Sequence, residues 1–453
     1  MSSGHTAYAH GSHRWFEGHR TIGGPEAWLV WVLATVFVVW LFAIQTGYAV
    51  VSPDIQQSAH LTIAEIGLAA SIYTWAFAVV QFFSGALLDR FGSRPLMAIA
   101  VALVAVGAFL YAGTTNFATL AIAQTVLAIG SSFGFVGAGY LGGKWFDAAK
   151  YGLMFGLVQT FASLGSAVGQ PLILAVLGQM DWQELLVAFG AFGVLLAVLF
   201  VVFVRNPAPA PAPAASTDDD VRSSVGEPGV VRQIFRDLGR SFASVQVDLA
   251  SVLAGTSFGA MLAVGVLWGP RIMEARGAAT DFATILTALA WLGLAVGAPM
   301  VNVVSDRWRS RKWPAFTGLL LQAVAIVLVI YFPQVGNGAA LVLMFAIGFF
   351  AGAHMLGFTI AAEAVPGSLI GSASAIVNGV CFIIGGLLTS IPSAFLPAEP
   401  VLADYQQALW LLPAVVVVGA VAALGVNESA GRTTAPVAAA TPAAPTADTA
   451  GSR

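Results

Sequence analysis

Twelve long apolar runs fix what this chain can become. They lie near 27–51, 66–88, 95–114, 117–142, 151–178 and 184–204, then near 246–272, 281–304, 313–332, 338–362, 369–395 and 406–426. A helical crossing of a bilayer asks for about 20 apolar residues. Strands of a membrane barrel would be about 10 residues long with strict alternation, and these runs are longer and continuous. In hydrocarbon the backbone must satisfy its own hydrogen bonds, so each run is predicted to be a helix. Charged residues make up 9% of the chain, against roughly 25% in a soluble domain. The expected fold class is an all-α membrane protein with 12 transmembrane helices.

The polar stretches divide the chain. Residues 1–26 form a tail carrying His5, His10, His13 and His19; residues 27–204 hold six helices; 205–245 is a linker; 246–428 holds six more; 429–453 is a low-complexity tail. The linker opens with "RNPAPAPAPAASTDDDVRSSVGEPG", a composition that cannot build a core. It continues as "VVRQIFRDLGRSF", where Ile234, Phe235 and Leu238 oppose Arg232, Arg236 and Arg240, the pattern of a basic helix on a membrane surface. The first apolar run is longer than the core of a secretory signal, so it reads as a retained span. Cys381 is the single cysteine, which excludes an intrachain disulfide and a cysteine-based metal site.

Lys and Arg set the orientation. With both tails in the cytoplasm, Arg90, Arg94, Lys144, Lys150, the five arginines from Arg205 to Arg240, Arg307, Arg309, Arg311, Lys312 and the tail arginines all face inward. Only Arg271 and Arg276 fall outside, so 17 of 19 basic residues share one side. The expected location is the cytoplasmic (inner) membrane.

One charged loop occurs twice. "GALLDRFGSRPLM" places Asp89, Arg90 and Arg94 after the second helix, and "NVVSDRWRSRKWPAF" places Asp306, Arg307 and Arg311 after the eighth. Both copies have the same internal spacing, which implies a duplicated six-helix unit and hence two pseudo-symmetric six-helix bundles. The first loop resembles the signature G-x-L-x-D-R-x-G-x-R/K of the major facilitator superfamily, with Gly85, Leu87, Asp89, Arg90, Gly92 and Arg94 in place. The second keeps the charges but has Asn302 and Arg309 where the glycines would be. In detail, "FVGAGYLGGKWF" and "LWGP…SDRWRSRKW" resemble a bacterial branch carrying small organic solutes. The resemblance implies that the loops are gating latches: Asp89 would receive hydrogen bonds from a helix N-terminus in the other half, and Glu363 would partner Arg307 or Arg311. The competing reading is topology alone, since arginines in any inner loop fix orientation.

The resemblance also implies a substrate site at mid-membrane between the halves. Polar and aromatic residues at that depth are the candidates: Gln45, Tyr48, Tyr73, Ser131, Phe135, Gln159, Trp268, Arg271, Trp291, His354 and Asn378. Gln124 and Ser132 accompany the fourth helix. Arg271 would suit a carboxylate, because guanidinium pairs with it bidentately. His354 is the one histidine inside a predicted span, and it is the proton-coupling candidate. Each polar residue has a structural alternative as glue between helices. "GSAVGQPL" in the fifth helix partly resembles the glycine-proline motif of antiporters, and close helix packing explains Gly165 and Gly169 equally.

The function expected is secondary transport of a small organic solute, a carboxylate-bearing metabolite or amino acid, by alternating access as a symporter or uniporter. The alternatives are a non-transporting sensor or scaffold with the same fold, or a metal or drug transporter. No nucleotide loop or catalytic constellation is present, so the chain is not read as an enzyme. No cofactor, bound metal or nucleic-acid partner is expected. The partners expected are a small-molecule substrate, the lipid bilayer and, as an open option, protons; the expected state is a monomer.

Overall fold

A computed structural model describes residues 23–205, 230–332, 336–397 and 400–428. The readings of the histidine-bearing tail, of the Pro-Ala stretch and of the last 25 residues lie outside the described residues. Twelve helical spans are long and apolar enough to cross a membrane, and no strand occurs among the described residues. Spans are numbered here in chain order.

Spans 1 to 3 are Pro25–Ser58, Ile63–Phe91 and Ser93–Ala112. Span 4 is broken into Phe117–Ser131 and Gly134–Trp145, and spans 5 and 6 are Tyr151–Leu177 and Trp182–Phe203. Span 7 joins Val245–Ala263 to Gly269–Ala275 through a π turn, and spans 8 and 9 are Thr280–Trp308 and Lys312–Tyr331. Span 10 joins Asn337–Ala351 to Met355–Glu363 through a 3-10 turn, span 11 is Ile370–Ser390, and span 12 runs through Leu402–Ala408 and Leu411–Leu424.

Span 1 continues to Ser58 instead of ending near 51. Polar residues hide the continuation in sequence, but the fully buried Ile55 anchors the last turns. Local signals start other spans: Thr62 and Glu65 form a reciprocal capping box, as do Asn116 and Thr119.

The two halves repeat the same neighbourhoods. Span 1 packs on 5 and 6, 2 on 4, and 3 on 4 and 6; correspondingly 7 packs on 11 and 12, 8 on 10, and 9 on 10 and 12. The equivalent span ends share a positive φ but not a conformation. Gly92 closes span 2 at φ +77° and ψ 167°, which glycine adopts readily; Arg309 closes span 8 at φ +51° and ψ 38°, the left-handed helical region. The bundles meet along two seams, spans 2 with 11 and spans 5 with 8.

The helix Val230–Phe242 bridges spans 2 and 11 at the end where the described chain begins and ends, called here the terminal end. Leu238 is buried, Phe235 meets Phe83 at 5.7 Å and Phe242 meets Phe82 at 6.0 Å, while Arg232 and Arg236 remain exposed.

Candidate functional site

The breaks in spans 4 and 10 adjoin the crevice between the bundles, which Ser131, Phe135 and His354 line, while the break in span 7 packs within its own bundle. Irregular backbone at membrane depth is tolerated only inside protein or beside a cavity. In span 7 the N–H of Gly269 reaches back five residues to Val264. Pro270 follows, with no N–H to continue the regular ladder. In span 10 the break holds His354, which is 1% exposed and 2.7 Å through Nδ1 from the Ala351 carbonyl oxygen. A carbonyl only accepts, so Nδ1 carries the proton and Nε2 of the neutral ring is an acceptor.

His354 lines a crevice between the bundles with Gln45, Ser131, Phe135, Gln159, Asn378, Cys381 and five further apolar side chains. Phe258 lies 5.1 Å from the imidazole, and Phe77 packs on Phe382 at 4.6 Å across the bundles. The crevice has closed to about 10 Å³, roughly the space of one water. His354 is the one lining side chain that can become cationic. Asn378 donates to Gln81 Oε1 at 3.0 Å across the seam of spans 2 and 11, and Gln159 donates to Ser163 at 3.0 Å.

Gln45 also lines a second cavity, together with Tyr48, Tyr73 and Gln124. Three candidates stand apart from both spaces. Arg271 is exposed near the far end of span 7, so it lines no described cavity. Trp268 is buried and donates its indole N–H to the Leu388 carbonyl at 3.0 Å. Trp291 is buried edge-on against Phe42 at 6.5 Å and reaches the crevice only through that ring.

Toward the terminal end the crevice is sealed. Asp89 accepts from the N–H groups of Gly371 and Ser372, at 3.0 and 2.8 Å, and from the Ser372 hydroxyl at 2.9 Å. These groups open span 11, where the helix dipole favours an anion. Gly85 lies so close that a Cβ there would strike the Gly371 carbonyl oxygen. Tyr151 meets Ser374 at 3.1 Å, and Phe155 packs on Phe358 at 4.8 Å. At the other end Gly169 and Gly386 border open space.

The second charged loop behaves differently. Arg311 is bound by Glu363 at 2.7 Å and by Asp306, both in its own bundle, while Arg307 is exposed. Burial alone would lower the Arg311 pKa, but hydrogen bonds and charge from Glu363 and Asp306 raise it. Where Asp89 has its counterpart in the repeat, spans 5 and 8 meet through neutral groups: Thr160 donates to the Ala295 carbonyl at 2.7 Å, and Gly152 sits against Asn302 of span 8 and Thr359 of span 10. Glu428, which the sequence did not flag, accepts from the Arg311 N–H at 2.8 Å and from Ser310 at 2.6 Å.

The sequence profile of the Major Facilitator Superfamily matches residues 31–390. The chain belongs to the Major Facilitator Superfamily. Among superfamily relatives, a probable sulfoacetate transporter of Cupriavidus necator is 25% identical over 57% of this chain and 60% of its own. The hexuronate transporter of Bacillus subtilis is 20% identical over 58% and 60%. The first of these relatives are thus matched over 60% of their own length or less. The D-galactonate transporter of an Escherichia coli strain is 21% identical over 89% of this chain and 94% of its own. A crystal structure of a variant of the Escherichia coli fucose:proton symporter FucP superposes with a TM-score of 0.64 at 18% identity, covering 86% of this chain and 97% of that one. This likeness fixes the superfamily fold. Together with the profile match, the twelve spans identify a multi-pass membrane protein.

Sequence reading missed the aromatic collar of Phe77, Phe258 and Phe382, and the Gln81 partner of Asn378. In so phenylalanine-rich a chain only the superfamily packing separates the inward rings from lipid-facing ones.

Proposed function

We propose that the protein is a secondary active transporter that carries a small organic anion and a proton together by alternating access, with both tails in the cytoplasm. The observation that carries this is the crevice: it lies between two duplicated bundles, is sealed at one end by Asp89, and contains one side chain able to turn cationic, His354. With neutral His354 the ring offers an anion only the Nε2 lone pair. A protonated ring offers an N–H and a positive charge in a water-poor space, where both act strongly. Anion and proton therefore favour each other's binding. The named substrates of the relatives, sulfoacetate, hexuronate and galactonate, are organic acids, which supports this class. The latch residues Asp89 and Gly85 govern closure of the inner gate; this supports a moving carrier over a static scaffold.

The test is uptake of labelled organic acids into proteoliposomes. An inward proton gradient should drive accumulation, and His354→Gln should abolish the gradient dependence while retaining a folded protein. Equal gradient dependence in the variant would end the assignment of the proton to His354. No uptake of any acid would end the anion reading.

A further inference from the structure

Beside the crevice, within the N-terminal bundle, lies a cavity of about 170 Å³, far above the roughly 10–15 Å³ that one water needs. Its polar wall is Gln45, Tyr48, Tyr73, Thr74, Tyr111 and Gln124, and no charged residue lines it. Two of its groups are already occupied: Tyr48 donates to the Ile66 carbonyl at 2.7 Å, and Thr74 donates to the Ala70 carbonyl at 3.0 Å. Three are not. The Tyr73 and Tyr111 hydroxyls and Gln45 Oε1 are buried without a hydrogen-bond partner, and Tyr111 is only 1% exposed. Buried polar groups in folded proteins are nearly always satisfied, and an orphan calls for an explanation. The Tyr48 and Tyr111 rings stack at 6.1 Å and 18°, giving the cavity a flat apolar side.

The geometry points to a second binding subsite that takes the uncharged, hydroxyl-bearing part of the substrate. This rests on the organic-anion reading and narrows it to hydroxylated acids. An uncharged lining cannot compensate a carboxylate or sulfonate taken from water, so the acid group belongs at His354. Gln45 lines both spaces, so this one side chain stands between an acid group held at His354 and the cavity. Within the cavity Gln45 Oε1 accepts from a substrate hydroxyl, Tyr111 both donates and accepts, and the phenol faces cover the carbon chain. A polar site left unpaired by an analogue that lacks the hydroxyl discriminates strongly against it.

The experiment compares two acids of equal charge and chain length, gluconate and hexanoate, as competitors and substrates in proteoliposomes. The wild type should prefer gluconate. Tyr111→Phe, which keeps the ring, should raise the gluconate KM about tenfold and leave hexanoate inhibition unchanged. The ligand-free variant should melt no lower than the wild type, because the orphan hydroxyl is gone, and gluconate should no longer raise its melting temperature. An unchanged gluconate-to-hexanoate ratio in Tyr111→Phe, with acid transport intact, would overturn the subsite alone. Failure of both acids to bind the wild type would overturn the anion reading and the subsite with it.

Discussion

Asp89 is the residue whose neighbours define its task most sharply, since all three of its hydrogen bonds come from the other bundle. Asp89→Asn would turn an amide N–H₂ toward backbone donors. Hydrogen bonds to a charged group contribute about 1.5–3 kcal/mol each. The substitution should therefore expose a cysteine placed at Ser374 to reagents from the terminal side, and unchanged labelling would refute the latch. Arg311 gives the opposite outcome. Its partners Asp306 and Glu363 lie in its own bundle, so Arg311→Ala should cost about 3 kcal/mol, read as a lower melting temperature, without opening Ser374 to label. Asp89 was legible because an aspartate in an arginine-rich turn is more than topology requires. Arg271 misled because sequence gives depth along a helix only roughly and does not give the direction a side chain faces. Six of the candidates converge on one crevice because a polar side chain in hydrocarbon has few places to go.

At the level of helices, the twelve spans could be read from apolar length alone, within a few residues at most ends. The breaks could not. Nothing in "FGFV" or "GAHM" forbids a regular helix; the irregular turn at Gly352–His354 packs on spans 7, 8 and 9 of its own bundle, with Gly352 pressed against Gly297 and Ala298, a tertiary contact that local sequence does not announce. The turn after span 8 offers a clean check. Arg309 occupies a left-handed backbone, a conformation costing non-glycine residues roughly 1–2 kcal/mol, so Arg309→Gly should raise the melting temperature. Gly85 tests the opposite case. A side chain there meets the Gly371 backbone, so Gly85→Val should separate spans 2 and 11 at the terminal end. Crosslinking of a cysteine pair placed at Gln81 and Asn378, whose side chains meet at 3.0 Å between these spans, should fall; undiminished crosslinking would show that the close approach is dispensable.

For the whole molecule, the duplication legible in the two charged loops is visible again in the paired helix neighbourhoods. The halves have nevertheless diverged in how they grip each other, which the loops' matching spacing concealed. One seam is fastened by a carboxylate seated on a helix N-terminus, and the other by threonine, asparagine and glycine. Cutting the carboxylate should therefore release a single edge. Paired spin labels should report lengthening across spans 2 and 11 before any across spans 5 and 8. The protein would part as a book does, hinged along its neutral spine, and the solute would leave through a wedge instead of a parallel slot.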